Sequence, residues 1–497
     1  MDSFTGTGRI SWQELFCREQ KAEKCEIIIF GASGDLAKRK LFPALFTLFD
    51  SALLHPETKI KGCARHFFTT ETFRDHLMET IFPRPFPDKA KEFLSRISYM
   101  VLDYTKKEDF SLLARDLLTE ENHSASFIFY FALPSPLYMP TLENLSETGL
   151  LSEEYGKRRI VFEKPFGFDF KSACILNKEL KKFLTEKQIY RIDHYLGKET
   201  IQNIFLLRFA NRIFEPLWNR NHVAEIQITA SETLGVEKRA SYFDQAGILR
   251  DMFQNHLLEM LCLVTMEMPE IFSADAVRNE KYKLISSIRK IDFSDAIRAQ
   301  YENYTKEEGV ALSSRTETFA ALRLFIDNER WQNIPIYLRA GKKLGIKKTE
   351  IDIIFKEVDK CIFPGIRKED LQRNILHLHI QPQEGLSLTL EAKMPGPKLC
   401  MGALTLSFDY KSVLESNREN LDAYARLLLD CQNEDQTLFI RSDIIERSWL
   451  LFQDLLDHWK EEKFSPIPIY KQGSHGPAEA DALLQKNGTF WYDPLKG

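Results

Sequence analysis

Glu26-Ile27-Ile28-Ile29-Phe30-Gly31-Ala32-Ser33-Gly34-Asp35-Leu36-Ala37-Lys38-Arg39-Lys40 is the stretch on which the fold turns. Ile27 to Phe30 form an apolar run with no polar alternation, which reads as a short strand buried on both faces. The chain then breaks on Gly31 and Gly34 and enters a helical pattern. Glycines at those positions permit a tight turn and close backbone approach, and the helix that follows points its free N–H groups at whatever lies in the turn, an arrangement that favours a pyrophosphate. The spacing is not GxGxxG, so taken alone the turn also fits an ordinary loop.

Three segments downstream repeat the pattern of strand followed by polar loop. Lys59 to Cys63 leads to Arg65, Phe127 to Leu133 leads to Pro134 and Tyr138, and Arg159 to Phe162 leads to Glu163-Lys164-Pro165-Phe166-Gly167. In an open parallel sheet a ligand lies outside the carboxyl ends of the strands, so these loops would line one crevice. Arg65 stands where an acidic residue would hold a ribose 2'-hydroxyl in an NAD enzyme; a cation there suits the 2'-phosphate of NADP, while a plain surface arginine is the alternative. Helical patterns such as Phe110 to Leu118 separate the strands. The alternation predicts a doubly wound α/β unit over about residues 20 to 190.

Composition bounds the rest. At 497 residues the chain exceeds what one core usually serves, so two domains are expected. With 67 basic against 72 acidic residues and a formal net charge of -5, no overall basic field points to nucleic acid. The eight cysteines show no CxxC and no close histidine partner, so reduced thiols are the simpler reading and no metal is expected. The amino terminus lacks a basic start followed by an apolar core, and no stretch approaches eighteen apolar residues. A cytoplasmic protein without membrane contact is expected.

Beyond residue 220 the period falls to two: Glu225 to Thr229, Leu376 to Ile380, Leu386 to Leu390 and Leu404 to Phe408. This predicts a larger α+β region with a mainly antiparallel sheet and helices on one side. His377 and His379 fall on the polar face of their strand and read as surface residues. A helix over Ile248 to Val264 would bury Met252, Leu257 and Leu261, which leaves Asp251, Asn255 and His256 in need of partners. Asp251 and His256 are five apart, about 140° around an ideal α-helix, and cannot share one narrow stripe.

The run Arg191-Ile-Asp193-His194-Tyr195-Leu-Gly197-Lys198-Glu199 concentrates an acid, an imidazole, a phenol and an ammonium in nine residues. If a helix begins at Asp193, His194 and Lys198 stand four apart on one face and can grip one anionic group such as a phosphate. Alternatively Asp193 is an N-cap and the others are a solvated face. Gly197 inside that first turn costs about 1 kcal/mol relative to alanine and calls for a ligand or neighbouring backbone close by.

Together, GASGDLAKRKLFPAL, EKPFG, RIDHYLGKE, RFAN with EPLWNR, RDMFQNHLL, RAGKKL and YKQGSHGP resemble the successive signatures of the glucose-6-phosphate dehydrogenases, over residues 25 to 491. The resemblance implies oxidation of D-glucose 6-phosphate at C1 to 6-phospho-D-glucono-1,5-lactone with hydride transfer to NADP. It implies His256 as the base and Asp193 as the carboxylate that orients it. His194, Tyr195 and Lys198 are implied at the phosphate, Glu232, Asp251, Lys342 and Lys347 at the rest of the sugar phosphate, and Gly31, Ser33, Gly34, Asp35, Leu36, Lys38, Arg65 and Tyr138 at the cofactor. Lys164 would stand where the two ligands meet and serve both.

The expected division is a Rossmann-like NADP domain over residues 1–192 and a substrate-binding, catalytic and oligomerisation domain over 193–497. A homodimer or homotetramer is expected from the exposed sheet face. Two positions depart from the family pattern, Ala425 and Ile444 where glutamates are expected, and are read as bearing on surface or subunit contacts. A single arginine leaves use of NAD open. The competing readings are a catalytically silent NADP-binding sensor or scaffold, and a dehydrogenase of unphosphorylated sugar.

Overall fold

The computed structural model describes residues 21–82, 88–119, 125–154, 156–397, 400–409, 421–462 and 465–492. The amino-terminal stretch read above and Cys17 lie outside the described residues. Six strands form a wholly parallel sheet: β1 (Glu26–Phe30), β2 (Lys59–Ala64), β3 (Ile97–Val101), β4 (Phe127–Phe131), β5 (Arg158–Phe162) and β6 (Ile189–Arg191). Their spatial order, β3-β2-β1-β4-β5-β6, is that of a Rossmann fold, with the direction of winding reversing between β1 and β4. All five residues of β1 are buried, as are those of β4 and β5. Phe30 sits in an aromatic cluster, parallel to Phe129 at 6.1 Å and edge-on to Phe131 at 5.4 Å.

Gly31 closes β1 for a steric reason. Its φ is +83°, and a Cβ there would lie 2.1 Å from the carbonyl oxygen of Ala132. Only glycine fits the turn. Its N–H donates to the Cys63 carbonyl at 2.9 Å and the Tyr104 hydroxyl at 3.0 Å, which ties the turn to the ends of neighbouring elements.

The second sheet has nine strands: β7 (Val223–Ser231), β8 (Ala296–Tyr301), β9 (Phe319–Leu324), β10 (Ile336–Gly341), β11 (Lys348–Phe355), β12 (Ile375–Gln381), β13 (Gly385–Lys393), β14 (Met401–Asp409) and β15 (Ile469–Tyr470). Their order is β14-β13-β12-β11-β7-β10-β9-β8-β15, antiparallel except at β7–β10 and β8–β15. The central strands β7 and β10 carry the helical segment Leu249–Thr265. The last carbonyls of that segment are capped by side chains from afar: Arg208 donates to Leu263 at 2.9 Å, Trp218 to Val264 at 2.7 Å and Trp331 to Thr265 at 2.7 Å. The RFAN and EPLWNR motifs therefore finish this helix by satisfying carbonyls that have no partner within it.

Three expectations are corrected. His377 is not a surface residue: it is 4% exposed, its Nδ1 lies 2.6 Å from Asp352, and Tyr492 stacks on its ring at 4.3 Å. His379, read the same way, is half-buried. The polar face of this sheet is covered by the carboxy-terminal residues around Trp491 and Tyr492, a covering that strand periodicity does not encode. Ala425 and Ile444 are both buried, so they are core positions and not surface ones. Among the described residues no helix is long and apolar enough to cross a membrane, and the seven described cysteines are free.

Gly31→Ala is expected to lower the unfolding free energy by about 2 kcal/mol or more, through backbone strain and overlap with Ala132. Denaturant titration measures it, and an unchanged midpoint would contradict the steric reading.

Candidate active site

The site is built where the parallel sheet meets the central strands of the second sheet. Asp193 follows β6, Lys164 follows β5, and Asp251 and His256 come from the segment Leu249–Leu257. That segment is not α-helical as expected: it is a π-helix, continued as an α-helix over Leu258–Thr265. Hydrogen bonding from i to i+5 brings residues five apart onto one side, which removes the 140° conflict between Asp251 and His256. The segment is preceded by a kink at Gly247, whose φ is +73° and whose missing Cβ leaves room for the Glu317 carboxylate. Glu317 accepts from the Leu249 N–H at 3.1 Å and so receives one of the free donors at the start of the segment.

The run Asp193 to Lys198 is also not a helix. It folds as successive turns, with Asp193 accepting from the Tyr195 N–H at 2.9 Å, and the helix begins only at Glu199. Gly197 has the close backbone neighbour its cost called for: a Cβ would lie 2.5 Å from the Ala423 carbonyl oxygen.

His256 Nδ1 lies 2.5 Å from Asp193 Oδ1, with both residues 1% exposed. Asp193 as acceptor fixes the proton on Nδ1 and leaves the lone pair on Nε2. The Lys164 ammonium donates to that lone pair at 2.8 Å, to the Asp251 carbonyl at 3.1 Å and to Asp251 Oδ1 at 3.4 Å. Tyr195 stacks on the His256 ring at 4.2 Å and His194 meets it edge-on at 4.9 Å. The imidazole is thereby fixed on its faces and at both nitrogens.

Charge state follows from these neighbours. Burial disfavours the imidazolium of His256 and outweighs Asp193, which favours it, while Lys164 adds repulsion; its pKa is lowered from the ordinary value. Burial alone would raise Asp193, but His256 and the nearby cations hold it well below the usual carboxylate range. For Asp251, burial is likewise overcome by Lys164 and Lys342, which bring it down to about 2. His194 is lowered to about 3 by burial and then by its proximity to His256. A neutral imidazole beside an ionised carboxylate is a base ready to accept a proton.

Around this centre lie the other expected residues. Lys342 pairs with Glu232 at 2.5 Å and reaches Asp251 at 4.0 Å. A cleft of about 800 Å³ opens beside them, lined among others by Asp35, Arg39, Glu232, Asp251, Lys342 and Lys347. It joins the start of the helix after the glycine turn to the sugar-binding candidates. Ser33 and Gly34 lie in the turn, Asp35 and Leu36 open the helix, Lys38 follows in its π-helical stretch Ala37–Leu41, and Arg65 is exposed directly after β2. Tyr138 is buried and donates to the Glu163 carbonyl at 3.0 Å, so it braces the loop that carries Lys164.

Two residues of the site were not foreseen. Gln381 donates to the Tyr195 hydroxyl at 3.1 Å and to Thr349 at 2.9 Å. It continues the period-two polar face of His377 and His379, so a signal for it existed. Glu384 lies 3.7 Å from Lys198; a single acid in a turn carries no such signal. Asp193, His194 and His256 also offer one ligating atom each, all within 4.8 Å of one another.

Two family models match in succession, the NAD binding domain of glucose-6-phosphate dehydrogenase over residues 28–203 and its C-terminal domain over 205–492. The chain belongs to the glucose-6-phosphate dehydrogenase family. It is 41% identical to a glucose-6-phosphate 1-dehydrogenase of Treponema pallidum over 94% of this chain and 95% of that one. A cytoplasmic glucose-6-phosphate 1-dehydrogenase of Arabidopsis thaliana is also 41% identical, over 94% of this chain and 93% of that one. A solved glucose-6-phosphate dehydrogenase in complex with its substrate glucose-6-phosphate superposes with a TM-score of 0.89 at 35% identity, covering 95% of this chain and 99% of that one.

The charges around His256 make a signed prediction. Asp193→Asn removes the anion that favours the imidazolium and should move the His256 titration further to acid; Lys164→Met removes a repelling cation and should move it towards neutral. Each displacement is expected to be about 1 pH unit or more, read by NMR of the imidazole nitrogens. Movement of both in the same direction would overturn this account.

Proposed function

We infer that the protein is an NADP-dependent oxidoreductase that converts D-glucose 6-phosphate into 6-phospho-D-glucono-1,5-lactone, the first step of the oxidative pentose phosphate pathway. The observation that carries the reading is the buried contact of His256 with Asp193, at 2.5 Å, beside the phosphate candidates His194 and Lys198. His256 Nε2 takes the proton of the C1 hydroxyl, which displaces the Lys164 ammonium from that lone pair. Asp193 then stabilises the imidazolium by the logic of a triad aspartate. Glu232, Asp251 and Lys342 hold the sugar, Lys347 closes the cleft from its rim, and His194, Lys198 and the neighbouring Tyr195 hold the phosphate.

The cofactor reading is supported by the turn itself. The glycine turn after β1 and the helix opening at Asp35 fit a pyrophosphate, and Arg65, exposed directly after β2, fits a 2'-phosphate. Gly31, Ser33, Gly34, Asp35, Leu36 and Lys38 would hold the pyrophosphate side, with Tyr138 behind them and Lys164 between cofactor and sugar. NADP, when bound, supplies the hydride acceptor. We assign no metal to Asp193, His194 and His256, because Asp193 is engaged by Nδ1 and the Lys164 ammonium occupies Nε2, 2.8 Å away.

The same reading divides the chain after residue 192 and places the protein in the cytoplasm. It makes the protein a homodimer or homotetramer through the sheet end at β14, where Leu404 is 38% and Leu406 49% exposed. A silent sensor or scaffold has no use for a buried base with its own orienting carboxylate, and no observation favours it.

Reduction of NADP on mixing with glucose 6-phosphate, with free glucose as control, tests the reading directly; no turnover from folded protein that binds NADP would overturn it. His256→Asn is expected to lower kcat on the order of 10² or more with KM within a few-fold, as for loss of a general base. For Arg65→Ala the preference for NADP over NAD should shrink by about 1 to 2 kcal/mol, read as the ratio of kcat/KM values. An unchanged ratio would remove Arg65 from the 2'-phosphate.

A further inference from the structure

The helix Glu199–Phe209 begins without a side-chain cap of its own, because its N-cap residue is Lys198, which carries only donors. The cap comes from elsewhere. Glu384, in the turn between β12 and β13, accepts from the Thr200 N–H through Oε2 at 3.4 Å, the bond that an N-cap side chain ordinarily makes. Its other oxygen, Oε1, stands 3.7 Å from the Lys198 ammonium. One carboxylate thus fixes both the first turn of this helix and the lysine at its mouth.

We propose that Glu384 is a positioning residue for the phosphate grip, holding Lys198 in place for the phosphate of the sugar. The inference rests on the assignment of Lys198 to the phosphate given above. Lysine loses among the most rotamer freedom of any side chain on being ordered, so a lysine fixed before the ligand arrives binds it more tightly. The pair is loose enough to leave ammonium donors for phosphate oxygens, since Lys198 has three and Glu384 engages it only at 3.7 Å. Glu384 is kept from following Lys198 into the phosphate site by its bond to Thr200. Both side chains are only about one-fifth exposed, at 20% and 23%, so the pair is partly shielded from solvent. Glu384 makes no hydrogen bond to His256, and its effect on the phosphate runs through Lys198 and the helix start that carries it.

Steady-state kinetics with glucose 6-phosphate, free glucose and inorganic phosphate as competitive inhibitor test this. Glu384→Ala is expected to raise KM for glucose 6-phosphate about tenfold and to weaken phosphate inhibition in parallel. Its kcat, its KM for NADP and its turnover of free glucose should stay within about two-fold, a pattern that general loosening of the fold would not produce. Glu384→Gln keeps an acceptor for Thr200 and should fall between the two; it is the variant to read if the alanine protein does not fold. An unchanged KM would overturn the proposal, and so would a lower one, which would make the carboxylate a competitor of the phosphate. Lys198→Ala in parallel separates the two readings. Weakened binding there with normal Glu384 variants refutes only the role of Glu384, whereas normal binding in Lys198→Ala refutes the phosphate assignment itself.

Discussion

The contact between Asp193 and His256 is the constraint on which the rest depends. An ionised carboxylate with 1% exposure is far too costly to bury alone and is tolerated because an imidazole meets it, with the Tyr195 N–H beside it. Asp193 is delivered by the end of the parallel sheet and His256 by a helix on the second sheet, so neither is satisfied until the two sheets are docked. The buttressing on both sides has the same origin. Arg191, just before Asp193, is tied through its side chain to Glu186 and Asn177, and its carbonyl accepts from Ile440 at 3.2 Å. On the other side, capping of Leu263, Val264 and Thr265 by Arg208, Trp218 and Trp331 anchors the helix that carries the histidine.

Lys164 sets the electrostatic tone. It sits on the lone pair of His256 and beside the carboxylate of Asp251, so it adds to the burial that keeps the imidazole neutral and, with Lys342, holds the acid ionised. That ammonium is placed by the loop after β5, which Tyr138 braces from below. The parallel sheet therefore places a charge against the second sheet's His256 and Asp251.

The parallel sheet was legible because its strands are short, apolar and each followed by a loop of distinctive composition; β1 with Gly31 carried most of that signal. The second sheet was legible from alternation, but not what covers it. His377 reads as exposed because period two reports only a polar face, and Tyr492, which buries it, is 115 residues away in the sequence. Ala425 and Ile444 misled for a related reason, since departure from a family pattern says nothing about burial. The turns at Asp193 are not legible, because the i, i+4 spacing of His194 and Lys198 fits a helix as well. That Asp251 and His256 both face the Lys164 ammonium reads in the sequence only as a contradiction, since they are five apart and a π-helix hydrogen-bonds differently from an α-helix.

That π-helix amounts to an extra residue accommodated within a helical segment. Removing one residue between Asp251 and His256 would let the ordinary i to i+4 ladder close, a better helix by every local measure. It would also leave the two side chains four positions apart and lose the wider turn that lets both reach the one Lys164 ammonium. The backbone therefore forgoes regularity where Asp251 and His256 meet one ammonium, and selection for a more stable helix at this point would work against that placement.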